Sequence, residues 1–133
     1  ICDTKGNLNS HIILRGGMNG TNFESKFVKE TTQKNKDKNI NSKIIIDCSH
    51  GNVLNHIDSN NCYKKQILVV DNIIEQIKNG ETNIGGIMIE SFINSGKQKF
   101  NFNNDFEYGI SITDSCIGFN ETKNIIEKLY NSL

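Results

Sequence analysis

Four short apolar runs interrupt an otherwise polar chain: "HIIL" at 11–14, "IIID" at 44–47, "IGGIMI" at 84–89 and "GISIT" at 109–113. Each is rich in isoleucine and too short for a buried helix, so each predicts a strand buried on both faces, as in a parallel sheet. Between the runs the apolar period lengthens. Residues 23–36 carry Phe23, Phe27 and Val28 on a mostly polar helical pattern. Residues 66–79 place Val69, Val70, Ile73, Ile74 and Ile77 at helical spacing before a stop at Gly80. A last helix is predicted over 121–132, with Asn120 as its N-cap and Ile125, Ile126, Leu129 and Leu133 as its inner stripe. The stretch 92–107 is irregular and predicts a short helix or a surface loop.

Repeated strand and helix units predict an α/β fold, with a parallel sheet joined by right-handed crossovers. In such sheets ligands gather at the carboxyl ends of the strands. Arg15, His50, Glu90 and Asp114 each follow one of the four runs.

Length and charge narrow the picture. A chain of 133 residues is one ordinary domain, and about half of a (β/α)8 barrel of roughly 250 residues. Its start at Ile1, not Met, suggests a fragment or a processed chain. Lys and Arg total 15 against 15 Asp and Glu, so no strong field steers the protein onto nucleic acid or an anionic membrane, and neither is expected as a partner. No apolar run approaches the roughly 20 residues of a membrane span, and residues 1–10 lack the layout of a signal peptide. A soluble, cytoplasmic protein is expected. The four cysteines are widely spread with no C-x-x-C pair, which argues against a zinc knuckle or a disulfide framework and for reduced thiols.

One histidine and two carboxylates, drawn from three strand ends, make a mixed nitrogen and oxygen ligand set suited to a divalent metal. The same residues also read as the unlinked polar groups that strand ends commonly collect. Arg15 is the sole arginine and is followed by Gly16-Gly17, which lets backbone approach a ligand beside a planar cationic fork. Its partner is a phosphate or carboxylate ligand, or else a structural carboxylate on a neighbouring strand. His11 reads as a packed or capping histidine and His56 as a solvated loop residue. Cys48 and Cys116 read as buried small apolar residues. "IGG" at 84–86 is too incomplete for a phosphate loop.

Taken in order, "HIILRGG", "IDCSHGN", "GGIMIES", "GKQ" and "YGISITDSCIGF" resemble the successive motifs of the carboxyl-terminal half of the class I 3-deoxy-D-arabino-heptulosonate 7-phosphate synthases. The resemblance covers residues 1–133. It implies about four βα units forming the carboxyl-terminal half of a (β/α)8 TIM barrel, with the amino-terminal half outside this chain. It also implies a metal-dependent, aldol-like condensation of phosphoenolpyruvate with erythrose 4-phosphate, which releases phosphate and opens the shikimate pathway to the aromatic amino acids.

In that family a Cys, a His, a Glu and an Asp hold the divalent metal (Mn, Fe, Zn or Co). The last three match His50, Glu90 and Asp114, while Arg15 matches the arginine that binds phosphoenolpyruvate. A homodimer or tetramer is the implied assembly. The sequence departs from the pattern in places. No cysteine corresponds to the metal-binding one, Met18 stands where a lysine is usual, and residues 53–65 run about six residues longer than the family spacing implies. Three other readings compete with the synthase: a non-catalytic, truncated or decayed half-barrel, the related synthase that uses arabinose 5-phosphate, and a plain open α/β binding domain. Four strands alone would leave two open sheet edges, which predicts association of the isolated chain.

Overall fold

A computed structural model describes residues 1–7, 9–53, 63–102 and 105–133. Three of the predicted strands form: β1 (Ile12–Leu14), β2 (Ile44–Asp47) and β3 (Ile84–Met88). They make one parallel sheet in the order β1-β2-β3. Ile12 to Leu14 pair in step with Ile44 to Ile46. Between β2 and β3 the register slips by one residue at Gly85, because Ile44 pairs with Ile84 but Ile45 with Gly86. The extra residue is a glycine because a Cβ there would run into the Lys43 side chain. "IGG" thus serves the sheet.

Burial is deepest in the central strand, although Ile45 there is only partly buried. Ile44 and Ile46 are fully buried, whereas Ile13 of β1 is 48% exposed and Met88 of β3 is 43% exposed. In β1 the face decides, since Ile13 pairs with the partly buried Ile45 whereas Leu14 pairs with Ile46 and is buried.

The helices are α1 (Ser25–Asp37), α2 (Tyr63–Lys78) and α3 (Phe119–Tyr130). Val28 is buried, with Phe23 and Phe27 packed against the core. In α2 the predicted stripe Val69, Val70, Ile73 and Ile74 is buried and Ile77 is partly so. Each of the four buried side chains stabilises by about 1.5–3 kcal/mol before the entropy of ordering is set against it. Gly80, at φ 91, donates to the Ile77 carbonyl at 2.9 Å and ends the helix. The helix starts at Tyr63, three residues before the sequence pattern indicates. His56 and Cys62 lie outside the described residues.

α3 corrects two expectations. Its N-cap is Gly118, not Asn120, because the Glu121 carboxylate accepts from the Gly118 N–H at 2.9 Å. A Cβ at Gly118 would collide with that carboxylate and with Ser95. Ile125 is buried and Leu129 packs on the core, but Ile126 is 59% and Leu133 92% exposed. Narrow contact with α2 covers one stripe only.

The fourth run is not a regular strand. Within 109–113 only Ser111 forms a bridge, to Lys97. The continuation of β3 pairs further along, through Ser91 and Ile117. Ser111 Oγ accepts from the Thr113 N–H at 3.2 Å, a local bond that competes with a strand ladder. Residues 92–107 contain no helix among those described. Gln98 closes this surface loop, donating to the carbonyls of Glu107 and Ile110 at 2.8 Å each. No helix among the described residues is long and apolar enough to cross a membrane.

Candidate metal centre

The site begins where β2 ends. Asp47 is 2% exposed, and both its carboxylate oxygens are engaged: Oδ1 accepts from the Ser49 N–H, and Oδ2 lies against His50 Nδ1, each at 2.8 Å. His50 opens a single turn of 3-10 helix (His50–Asn52) at φ 48, a left-handed conformation uncommon outside glycine. Such backbone persists where its surroundings hold it, and here they do.

Asn52 is the principal holder. Buried at 3% exposure, it donates through Nδ2 to the carbonyls of Leu14 at 3.1 Å and Asp47 at 2.7 Å. Its Oδ1 accepts from the Asn22 N–H at 2.8 Å, and Asn22 in turn accepts from the Gly16 N–H at 2.7 Å. The loops after β1 and β2 are thereby tied together. Glycines make the approach feasible. A Cβ on Gly16 would strike the backbone of Gly51 and Asn52, and one on Gly51 would strike Gly16 and Gly17. The backbone that Gly16 admits here is that of Gly51 and Asn52.

Three of the predicted site residues converge. His50, Glu90 and Asp114 can each offer a ligand atom within 4.8 Å of the others, and His50 Nε2 lies 3.7 Å from Glu90 Oε1. Glu90 and His50 are half-buried and Asp114 is exposed. Nδ1 is turned to Asp47, which leaves Nε2 as the ring nitrogen facing the Glu90 carboxylate. A neutral imidazole and two carboxylates at this spacing fit a divalent cation and leave positions open for other ligands.

Arg15 shares a partner with His50, the Oδ2 atom of Asp47. Its Nε lies 3.8 Å from Asp47 Oδ2 with the side chain 62% exposed. The anticipated pairing with a neighbouring strand's carboxylate is present but long, and in water it is weak. His11 is exposed and not packed.

Cys48 and Cys116 are buried, as expected. Burial, with the Asp47 charge adding, pushes the Cys48 thiol up to about 12. Burial also raises Cys116, against a hydrogen bond with Ser111 and with help from the Glu90 and Asp114 charges. Neither offers a ready thiolate at neutral pH.

Asp47, Asn52 and Gln66 escaped the sequence reading. Asp47 stands three residues before the histidine it orients. Gln66 is fully buried on α2 and bonds the backbone of Glu90. Its signal is a polar residue one turn before Val69 and Val70 on an apolar stripe.

Residues 1–127 match the DAHP synthetase I family. This chain belongs to that family. The phenylalanine-inhibited phospho-2-dehydro-3-deoxyheptonate aldolase of Saccharomyces cerevisiae is 40% identical over 136 residues, covering 97% of this chain and 35% of the yeast protein. The Trp-sensitive enzyme of that name from Escherichia coli is 35% identical over 133 residues, with 100% of this chain and 36% of the relative covered. A solved phospho-2-dehydro-3-deoxyheptonate aldolase from Francisella tularensis superposes with a TM-score of 0.86 at 43% identity, over 97% of this chain and 36% of that one. The chain thus spans about a third of the length of the DAHP synthetase I relatives it matches. Among the described residues the three-ligand cluster includes no cysteine.

Proposed function

We propose that the protein containing this chain condenses phosphoenolpyruvate with D-erythrose 4-phosphate to give 3-deoxy-D-arabino-heptulosonate 7-phosphate and phosphate. One observation carries the reading: His50, Glu90 and Asp114, up to 64 positions apart in sequence, bring their ligand atoms within 4.8 Å in a chain of the DAHP synthetase I family. A bound divalent metal ion, of the Mn, Fe, Zn or Co type, would polarise the aldehyde oxygen of the acceptor sugar. His50 Nε2 and the carboxylates of Glu90 and Asp114 would hold it. Asp47, 2.8 Å from His50 Nδ1, would orient the ring so that Nε2 is the nitrogen turned toward the metal.

Arg15 would bind phosphoenolpyruvate, whose phosphate and carboxylate both suit a guanidinium fork. Its 3.8 Å distance from Asp47 supports this, because the guanidinium is oriented without being saturated. Residues 1–133 would form the carboxyl-terminal part of one (β/α)8 barrel. The half-exposed outer strands β1 and β3 support that reading, since flanking strands and helices would cover them. The working form would be a cytoplasmic homo-oligomer.

The test is metal content and turnover of the full chain. His50→Ala is expected to lose bound metal and activity together, and the wild type to prefer erythrose 4-phosphate over arabinose 5-phosphate. Unchanged metal content in His50→Ala overturns the ligand reading; preference for the pentose phosphate overturns the substrate reading. A folded, metal-bound wild type without turnover supports the decayed half-barrel instead.

A further inference from the structure

Gln66 occupies the inward face of α2 among valines and isoleucines and is fully buried. A glutamine there is costly unless its amide groups are paired. Both are, and with one residue. Its Oε1 accepts from the Glu90 N–H at 2.8 Å, and its Nε2 donates to the Glu90 carbonyl at 3.1 Å.

This is the pairing a neighbouring strand would supply. The ladder from β2 to β3 ends with the Cys48 N–H donating to the Met88 carbonyl at 2.8 Å. Beyond that point β2 turns into the His50 loop, and Gln66 pairs with Glu90 in its stead. From another segment, the Ile117 N–H donates to the same Glu90 carbonyl at 3.0 Å, and the Phe92 N–H to the Ile117 carbonyl at 2.9 Å. The Glu90 backbone is pinned by three hydrogen bonds, while its side chain stays 32% exposed toward His50.

We propose that Gln66 is a positioning residue for the metal site, fixing the backbone from which the Glu90 carboxylate reaches toward His50 Nε2 and Asp114. The proposal rests on reading those three residues as the ligand set. Holding the Glu90 carboxylate in place costs backbone as well as side-chain entropy, and an anchored backbone removes the first of these from the cost of binding metal. Partners that orient a ligand commonly govern metal affinity in this way.

The test uses the full chain with Gln66→Leu, which fills the space without hydrogen bonds, and Gln66→Glu, which keeps the acceptor and loses the donor. Cobalt(II) affinity is measured by chelator competition, together with the visible cobalt spectrum, at a temperature where circular dichroism shows each variant folded. The dissociation constant is expected to rise roughly 10–100-fold in Gln66→Leu and less in Gln66→Glu, with altered cobalt bands in both. Wild-type affinity and an unchanged spectrum, with only the melting temperature lowered, would overturn the proposal. If Gln66→Leu does not fold, Gln66→Glu decides on the same readings. Glu90→Ala separates the two levels. Unchanged cobalt affinity in that variant removes the ligand reading and the role of Gln66 with it, whereas lost affinity there beside wild-type binding in the Gln66 variants sinks the role of Gln66 alone.

Discussion

His50 Nδ1 lies 2.8 Å from Asp47 Oδ2, and this contact decides which ring nitrogen faces Glu90 and Asp114. The carboxylate is 2% exposed and is bonded also to the Ser49 N–H, so it cannot swing away to water. Asp47→Ala should therefore weaken divalent metal binding by roughly 10–100-fold while His50 remains in place. Asp47→Asn, which retains an acceptor oxygen, should weaken it less. Isothermal titration with manganese or cobalt checks both, and equal affinity in Asp47→Ala and wild type would show that the tautomer is set by something else.

Gly51→Ala should destabilise the fold without removing any side-chain contact. The added methyl meets the backbone of Gly16 and Gly17, and backbone cannot step aside as a flexible side chain can. A loss of about 1–3 kcal/mol is expected, as for overpacked sites. Urea titration of the full chain measures it.

Arg15→Ala should leave stability within about 0.5 kcal/mol of wild type, because the side chain is 62% exposed and its distance to Asp47 is 3.8 Å. Its effect should fall on phosphoenolpyruvate, with KM raised about 10–100-fold by the loss of a charge-assisted contact. Arg15→Lys should restore only part of this, since a point charge does not reproduce the fork. A KM unchanged in Arg15→Ala would assign the residue to the Asp47 pair alone.

Alkaline pH should weaken the fold through Cys48. Its thiol stands at about 12 in the folded chain against 9.0 when exposed. Below the lower value both states keep the proton and there is no dependence. Between the two the unfolded chain releases its proton while the folded chain retains it, so stability falls as pH rises through that window. Cys48→Ala should show a flatter decline from pH 9 to 11, measured as urea midpoints against wild type. Parallel curves would mean that other groups govern the alkaline limit.

Much of the scaffold was legible because it follows from periodicity. Isoleucine runs at 12–14, 44–47 and 84–88 and the stripe Val69, Val70, Ile73, Ile74 place apolar groups where short strands and a helix must bury them. His50, Glu90 and Asp114, which converge within 4.8 Å, stand in the sequence as polar residues after apolar runs, and the ordered motifs around them carried the family. The run at 109–113 misled because Ser111 and Thr113 bond locally, an option that alternation of residue types does not reveal.

The chain's own order of residues determined three of the four predicted strands and the three helices, since these depend on neighbours a few positions away. Tertiary structure alone decided that Gly16 meets Gly51, that Asp47 turns His50, and that Gln66 replaces a strand beside Glu90. Those relationships join loops and elements up to 35 positions apart, or depend on which way a side chain turns at a loop. They come from hydrogen bonds that must be satisfied once burial has removed water, and no local pattern encodes which distant group will satisfy them.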